Sequence, residues 1–231
     1  MFWELGFPVN PLRNNGLKIN HQIRKKIKRF FFRTSSPSYL LPEFPLDQNT
    51  NWICENCPHS FKQSKIEEIS KILLDEKDEI HRSDITSLKI FMKKAEKQLH
   101  PHNYILSLNK RWLLPLMCSN PANATYDEWI EKFHTVKDLL SVLDIVNPGY
   151  SKDRGRAFFE LSVTSLNITR LEYEKHQLNL EEFIKISRNS LIPLFQKCYG
   201  ILEYEPEHSY DHALCNACKF YINRLKDYTK G

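Results

Sequence analysis

From residue 62 onward, apolar residues recur every third or fourth position, block after block, and most blocks open on a residue that can cap a helix. This restricts the fold more than any other feature, because a 3.6-residue apolar period buries one stripe of an α-helix and fits no strand. Ser64 and Glu67 have capping-box spacing ahead of Ile66, Ile69 and Leu73. Ser83 or Asp84 can cap a second helix carrying Ile85, Leu88, Phe91, Ala95 and Leu99. Pro101 suits the first turn of a third, whose inward face reads Tyr104/Ile105, Leu108, Trp112 and Leu116. Thr125 with Glu128 opens a fourth helix, with Trp129, Phe133, Val136, Leu140 and Leu143 inward, ending at Asn147-Pro148-Gly149. A fifth runs from Asp153 to about His176 and buries Phe158, Leu161, Ile168 and Leu171. Asn179 with Glu182 opens a sixth, carrying Phe183, Ile186, Leu194, Phe195, Cys198 and Ile201. Ser209 caps the last, with Ala213, Ala217, Phe220/Tyr221 and Leu225.

Seven antiparallel helices with short polar loops predict an all-α fold, an antiparallel helical superhelix or bundle. The final pair, with Ala213 and Ala217 on its seam, predicts a tetratricopeptide-like hairpin, although no strict 34-residue period runs through the chain. Six glycines in 231 residues are too few for an all-β sandwich or a phosphate-cradling loop. No apolar run approaches the ~18 residues that a membrane span needs. The first residues lack a basic start followed by an apolar block, so no secretory signal is read. The expected compartment is the cytoplasm or the nucleus, with the six cysteines reduced.

The net charge of +5 is local. Residues 18–33 hold seven Lys/Arg and no acid, which leaves 26 of the 33 basic residues against all 28 acidic ones elsewhere. A nucleic-acid surface spanning the protein is therefore not expected. Within that stretch Ile19, Ile23, Ile27 and Phe30/Phe31 recur at helical spacing, which reads as a short basic amphipathic helix. It suits a solvated or docked helix, a nuclear-import signal at Arg24-Lys25-Lys26-Ile27-Lys28-Arg29, or a membrane-surface or organelle-targeting helix. Residues 1–40 are accordingly set apart as a basic leader, and residues 34–50 read as extended linker.

Chemistry-bearing residues are sparse. Cys54-x-x-Cys57 can chelate zinc, because the knuckle turns both sulfurs to one point, but a structural site needs four ligands. His59 can add a third, and Cys215 or Cys218 a fourth if the fold brings them near. Cys215-x-x-Cys218 itself falls inside a helix, where it reads as buried small hydrophobes, as do Cys118 and Cys198. His100-Pro101-His102 reads as a helix start, and Arg154, Arg156 and Glu160 as orienting the turn before them. No nucleophile elbow, metalloprotease, dinucleotide or P-loop motif is present, so no catalytic residue is assigned.

Several segments in order and spacing resemble one family. They are Leu41-Pro42, Pro45-Leu46-Asp47, Trp52-Ile53-Cys54-Glu55-Asn56-Cys57 and Leu99-His100-Pro101-His102-Asn103-Tyr104. Further on come Asn147-Pro148-Gly149-Tyr150-Ser151-Lys152-Asp153-Arg154-Gly155 and Ile201-Leu202-Glu203-Tyr204-Glu205-Pro206-Glu207-His208-Ser209. Together they resemble the carboxy-terminal part of SET and MYND domain proteins, protein-lysine methyltransferases, above all their arthropod branch. The resemblance implies a post-SET-like cysteine segment over residues 41–61 and a helical carboxy-terminal superhelix over 62–231. It implies an irregular half zinc hook at Cys54, Cys57 and His59, incomplete because no cysteine stands upstream of Leu40. The MYND and SET catalytic regions have no counterpart: neither the glycine-rich adenosylmethionine loop nor the Asn-His turn is found, so no S-adenosylmethionine is expected. The function expected is a non-catalytic protein-interaction module, a truncated family member holding a protein or peptide on its concave face. The alternative is a fragment of an S-adenosylmethionine-dependent methyltransferase whose catalytic half is missing from this chain.

Overall fold

A computed structural model describes residues 40–44, 47, 49–54, 60–81, 83–101 and 103–229. The basic helix expected at 18–33, with Phe30 to Phe32, lies outside the described residues, as do Cys57 and His59.

The protein is mostly helical, with one small sheet in front. Strands β1 (Leu40–Pro42), β2 (Asn51–Cys54) and β3 (Ser60–Lys62) pair antiparallel in the order β1-β2-β3. The register sets Leu41 opposite Ile53 and Trp52 opposite Phe61. Part of the stretch expected to be linker and irregular hook is thus a β-meander. Strands of three and four residues are too short to show a period of two in the sequence. Leu40, the last residue assigned to the leader, is buried in β1 and joins Trp52 in the core.

The meander runs directly into helix α1 (Gln63–Glu79). Its N-cap, Lys62, makes no side-chain bond, and Ser64 lies inside the helix, so the expected Ser64–Glu67 box does not form. Gln63 takes over the junction: its Oε1 accepts from Trp52 Nε1 at 2.6 Å and its Nε2 donates to Glu67 at 2.8 Å. Helix α2 (Ile85–Ala95) begins at Asp84, whose carboxylate accepts from Ser87 N–H. Helix α3 (Tyr104–Leu116) is capped by Asn103 rather than started by Pro101. Helices α4 (Tyr126–Val146) and α6 (Leu180–Ile186) carry the complete capping boxes read at Thr125/Glu128 and Asn179/Glu182. Ser151 caps α5 (Lys152–Glu174), and Ser209 caps α8 (Tyr210–Tyr228).

Between α6 and α7 (Ile192–Leu202) the chain passes through a π-helical turn, Ser187–Leu191. Proline at 193 explains it. That residue has no N–H to give, and its ring would strike the carbonyl four residues back. Widening the turn lets Ile192 N–H reach Ser187 C=O, five residues away, and the helix continues.

Helices α4 and α5 run antiparallel, as do α7 and α8. Tyr126 meets Glu172 while Asp144 meets Arg154 across α4 and α5. Phe195 stacks on Tyr221, and Lys219 lies over Tyr199, across α7 and α8. Two cores result. The first joins the sheet to α1, α2 and α3 through Leu40, Trp52, Leu73, Phe91 and Leu106. The second joins α4, α5, α7 and α8 through Leu139, Phe158, Phe195 and Leu202. Helix α3 serves both, with Leu113 in the first and Leu114 in the second.

Two inward faces differ from the expected ones. On α3 the buried stripe is Ile105, Leu106, Asn109, Lys110, Leu113 and Leu114, while Tyr104 is exposed. On α8 it is Leu214, Cys215, Cys218, Ile222 and Leu225, with Ala213 and Phe220 exposed. No helix among the described residues is long and apolar enough to cross a membrane.

Candidate functional site

Cys54 closes β2, where its backbone pairs with Leu40. Cys215 and Cys218 are buried in the second core. Among the described residues no group of three or more His, Cys, Asp or Glu side chains is placed to hold a metal. Cys198 and Cys218 instead lie against one another, and the Cys198 thiol donates to Gly155 C=O at 3.2 Å. The hydrogen bond with Cys218, with burial next, pushes the Cys198 thiol far above its usual range. Burial raises Cys215 as well. Cys198, Cys215 and Cys218 pack as hydrophobes. Cys118 is different from the helical position expected of it: it follows α3 with a left-handed φ of 54° and is half-buried.

A polar layer between α3, α4 and α5 had no clear signal in the sequence. Lys132 is buried, donates to Met117 C=O at 2.9 Å and pairs with Glu160 at 2.8 Å. Lys110, also buried, reaches Asp138 at 3.4 Å. Arg111 pairs with Asp153. Each ammonium or guanidinium is matched to a carboxylate, which is how a buried charge becomes tolerable. The layer orients helices, since every one of these pairs joins two different elements. Glu160, read as orienting the turn before α5, acts one helix further away.

A cleft of about 480 Å³ opens between the end of α1 and α3, lined by Lys77, Asp78, Glu79, Ile80, His81 and Trp112. The Lys77 ammonium lies 4.1 Å from the centre of the Trp112 ring and pairs with Asp78. The ring face is therefore already occupied by a cation of the chain itself.

The other concentration of exposed side chains sits at the end of the second core, where the α4–α5 and α7–α8 loops meet. Tyr150 and Tyr204 are 78% and 76% exposed, with ring centres 5.9 Å apart and planes at 80°. Their loops are held from below. Arg154 donates to Asp144 and to Gly149 C=O, as the sequence reading of that turn expects. Arg156 binds Asp211 through two bonds of 2.5 and 2.9 Å and lies over Tyr210. The hydrogen bond with Asp211 raises the Arg156 pKa. His212 Nδ1 is 3.2 Å from Glu205 C=O. Gly155 and Leu202 approach so closely beneath the surface that a Cβ on residue 155 would sit 2.2 Å from Leu202 Cδ2. Neither tyrosine carries a periodic signal in the sequence, since both are exposed aromatics in separate loops; both stand inside the stretches that carry the family resemblance.

No protein-family model matches the chain, and no curated protein matches it.

Proposed function

We propose that the chain works as a non-catalytic helical protein-interaction module, akin to the carboxy-terminal body of SET and MYND domain proteins. One observation supports the reading above others. The two longest stretches resembling that family, residues 147–155 and 201–209, lie far apart in sequence and meet at one end of the second core. There they join a close α5–α7 crossing at Gly155 to a pair of exposed tyrosines, and exposed tyrosine is the residue interfaces favour. In this reading the paired helices continue as a tetratricopeptide-like superhelix that holds a protein or peptide partner. Zinc enters only as an incomplete site at Cys54, Cys57 and His59.

The test has two arms. Titration with S-adenosylmethionine in a calorimeter should give no binding heat, and no labelled methyl group should pass from it to protein. Protein isolated from its own cells should elute in a complex heavier than its own 27.5 kDa. Micromolar cofactor binding with methyl transfer, or a lone monomer in the cell, overturns the reading.

A further inference from the structure

The geometry points to a docking surface for a lysine- or arginine-bearing peptide segment, formed by Tyr150, Tyr204 and the carboxylates of the 203–207 loop. It rests on the interaction-module reading and names the partner chemistry.

Three observations carry it. The two rings stand at 80° to one another with most of their surface open, so a corner of two π-faces is presented to solvent. Aromatic faces are negative and attract ammonium or guanidinium groups. Among the described residues no cation lies over either ring: Arg154 is turned onto Phe158 and Asp144, and Arg156 onto Tyr210 and Asp211. The contrast is with Trp112, whose face Lys77 covers.

Next, the loop beside the rings carries Glu203, Glu205 and Glu207, and among the described residues none of the three is ion-paired. Against them stand His208 in the same loop and Lys152, the first residue of α5. The charge left over is negative, so a cationic segment is the complement. The charge of Glu203 raises the Tyr204 phenol.

Finally, the surface is built in advance. The Gly155–Leu202 contact, the Arg154 bond to Gly149 C=O and the Arg156–Asp211 pair brace both loops from the second core. Little ordering is left for binding to impose. A side chain with a cationic head and an aliphatic stem suits the corner, the head against carboxylate and ring, the stem along the tyrosine.

The probe is a fluorescein-labelled decapeptide of alternating lysine and arginine with serine, titrated by anisotropy at low salt; the comparison peptide replaces every cation with glutamine. The cationic peptide should bind and the glutamine peptide should bind at least about tenfold more weakly. Tyr204→Ala and the charge reversal Glu205→Lys should each weaken binding about tenfold, while Tyr204→Phe, which keeps the ring face, should bind as the parent does. Circular dichroism should show all variants folded, because both side chains lie outside the cores. Glu68→Lys, on the exposed face of α1, should leave binding unchanged. Equal weakening by Glu68→Lys shows attraction to bulk charge and overturns the site, as does Tyr204→Ala binding like the parent. A cellular complex insensitive to Tyr204→Ala overturns this surface while leaving the module reading in place.

Discussion

Replacing Gly155 by alanine tests how closely α5 and α7 must approach. The new Cβ would stand 2.2 Å from Leu202 Cδ2, 2.6 Å from Leu202 Cγ and 3.1 Å from Ile201 Cγ2. Carbon atoms prefer about 3.5–4.0 Å, so Leu202 or the helix axis has to move. Leu202 is wholly buried in the second core and has no open space to turn into. Overpacking of this kind costs about 1–3 kcal/mol, and a 2.2 Å approach belongs at the upper end. Alanine recovers about 1 kcal/mol of helix propensity, which leaves a net loss of about 2 kcal/mol. Gly200 provides the internal comparison: it is also helical, but its added Cβ meets nothing within 4 Å. Gly200→Ala should therefore stabilise by up to about 1 kcal/mol. In urea, with a slope of about 2 kcal/mol per molar, the two midpoints should separate by more than about 1 M. Leu202→Ala should cost less in the Gly155→Ala background than alone, because it removes the obstructing atoms. A Gly155→Ala midpoint at or above that of the parent, with unchanged slope, would refute the steric account.

Three further outcomes are expected. Thr125→Ala removes the α4 cap and should cost about 1 kcal/mol in denaturation. The Thr125 N–H and hydroxyl hold the Glu128 carboxyl below the usual range; this stabilisation is complete above the ordinary glutamate pKa and is lost as pH falls through the lowered value, so NMR titration should find Glu128 shifted up in Thr125→Ala. Lys132→Met leaves Glu160 without its partner and should cost about 3 kcal/mol or more, part of which the double change Lys132→Met/Glu160→Leu restores; a double variant no better than the single one would remove the pairing argument. With a thiol reagent under native conditions, Cys118 should label before Cys198, Cys215 and Cys218, followed by mass spectrometry; early labelling of Cys198 would contradict its place in the core.

The helices were legible because their starts and stripes are local. Thr125/Glu128, Asn179/Glu182, Asp84 and Ser209 mark their helices by side chains that satisfy the first free N–H groups, a matter of three residues. Ser64 misled for a tertiary reason: β3 feeds α1 without a break, and Trp52 ties down Gln63, one residue before the better capping residue. The α3 face departs from its apolar pattern because Asn109 and Lys110 occupy its buried stripe, where Asp138 of another helix pairs with Lys110. On α8, cysteines carry the seam that the alanines seemed to mark, since thiols pack like small apolar groups. The tyrosine corner lay beyond sequence reading altogether. It exists only because the α5–α7 crossing brings two loops together.

Leu113 and Leu114 are consecutive in the chain yet belong to different cores, and this sets an order of assembly during synthesis. Among the described residues every buried member of the first core lies between Leu40 and Met117, so that unit can close while α4 is still being made. The finished first half then offers Leu114 as the seed of the second, whose last buried member is Leu225 in the final helix. Until α8 leaves the ribosome, Phe195 and Leu202 lack the seam of Leu214, Cys218 and Ile222 that covers them. The interval of greatest exposure to misassembly therefore falls late, and a ribosome stalled just before Tyr210 would hold a closed first core beside an open, adhesive second one.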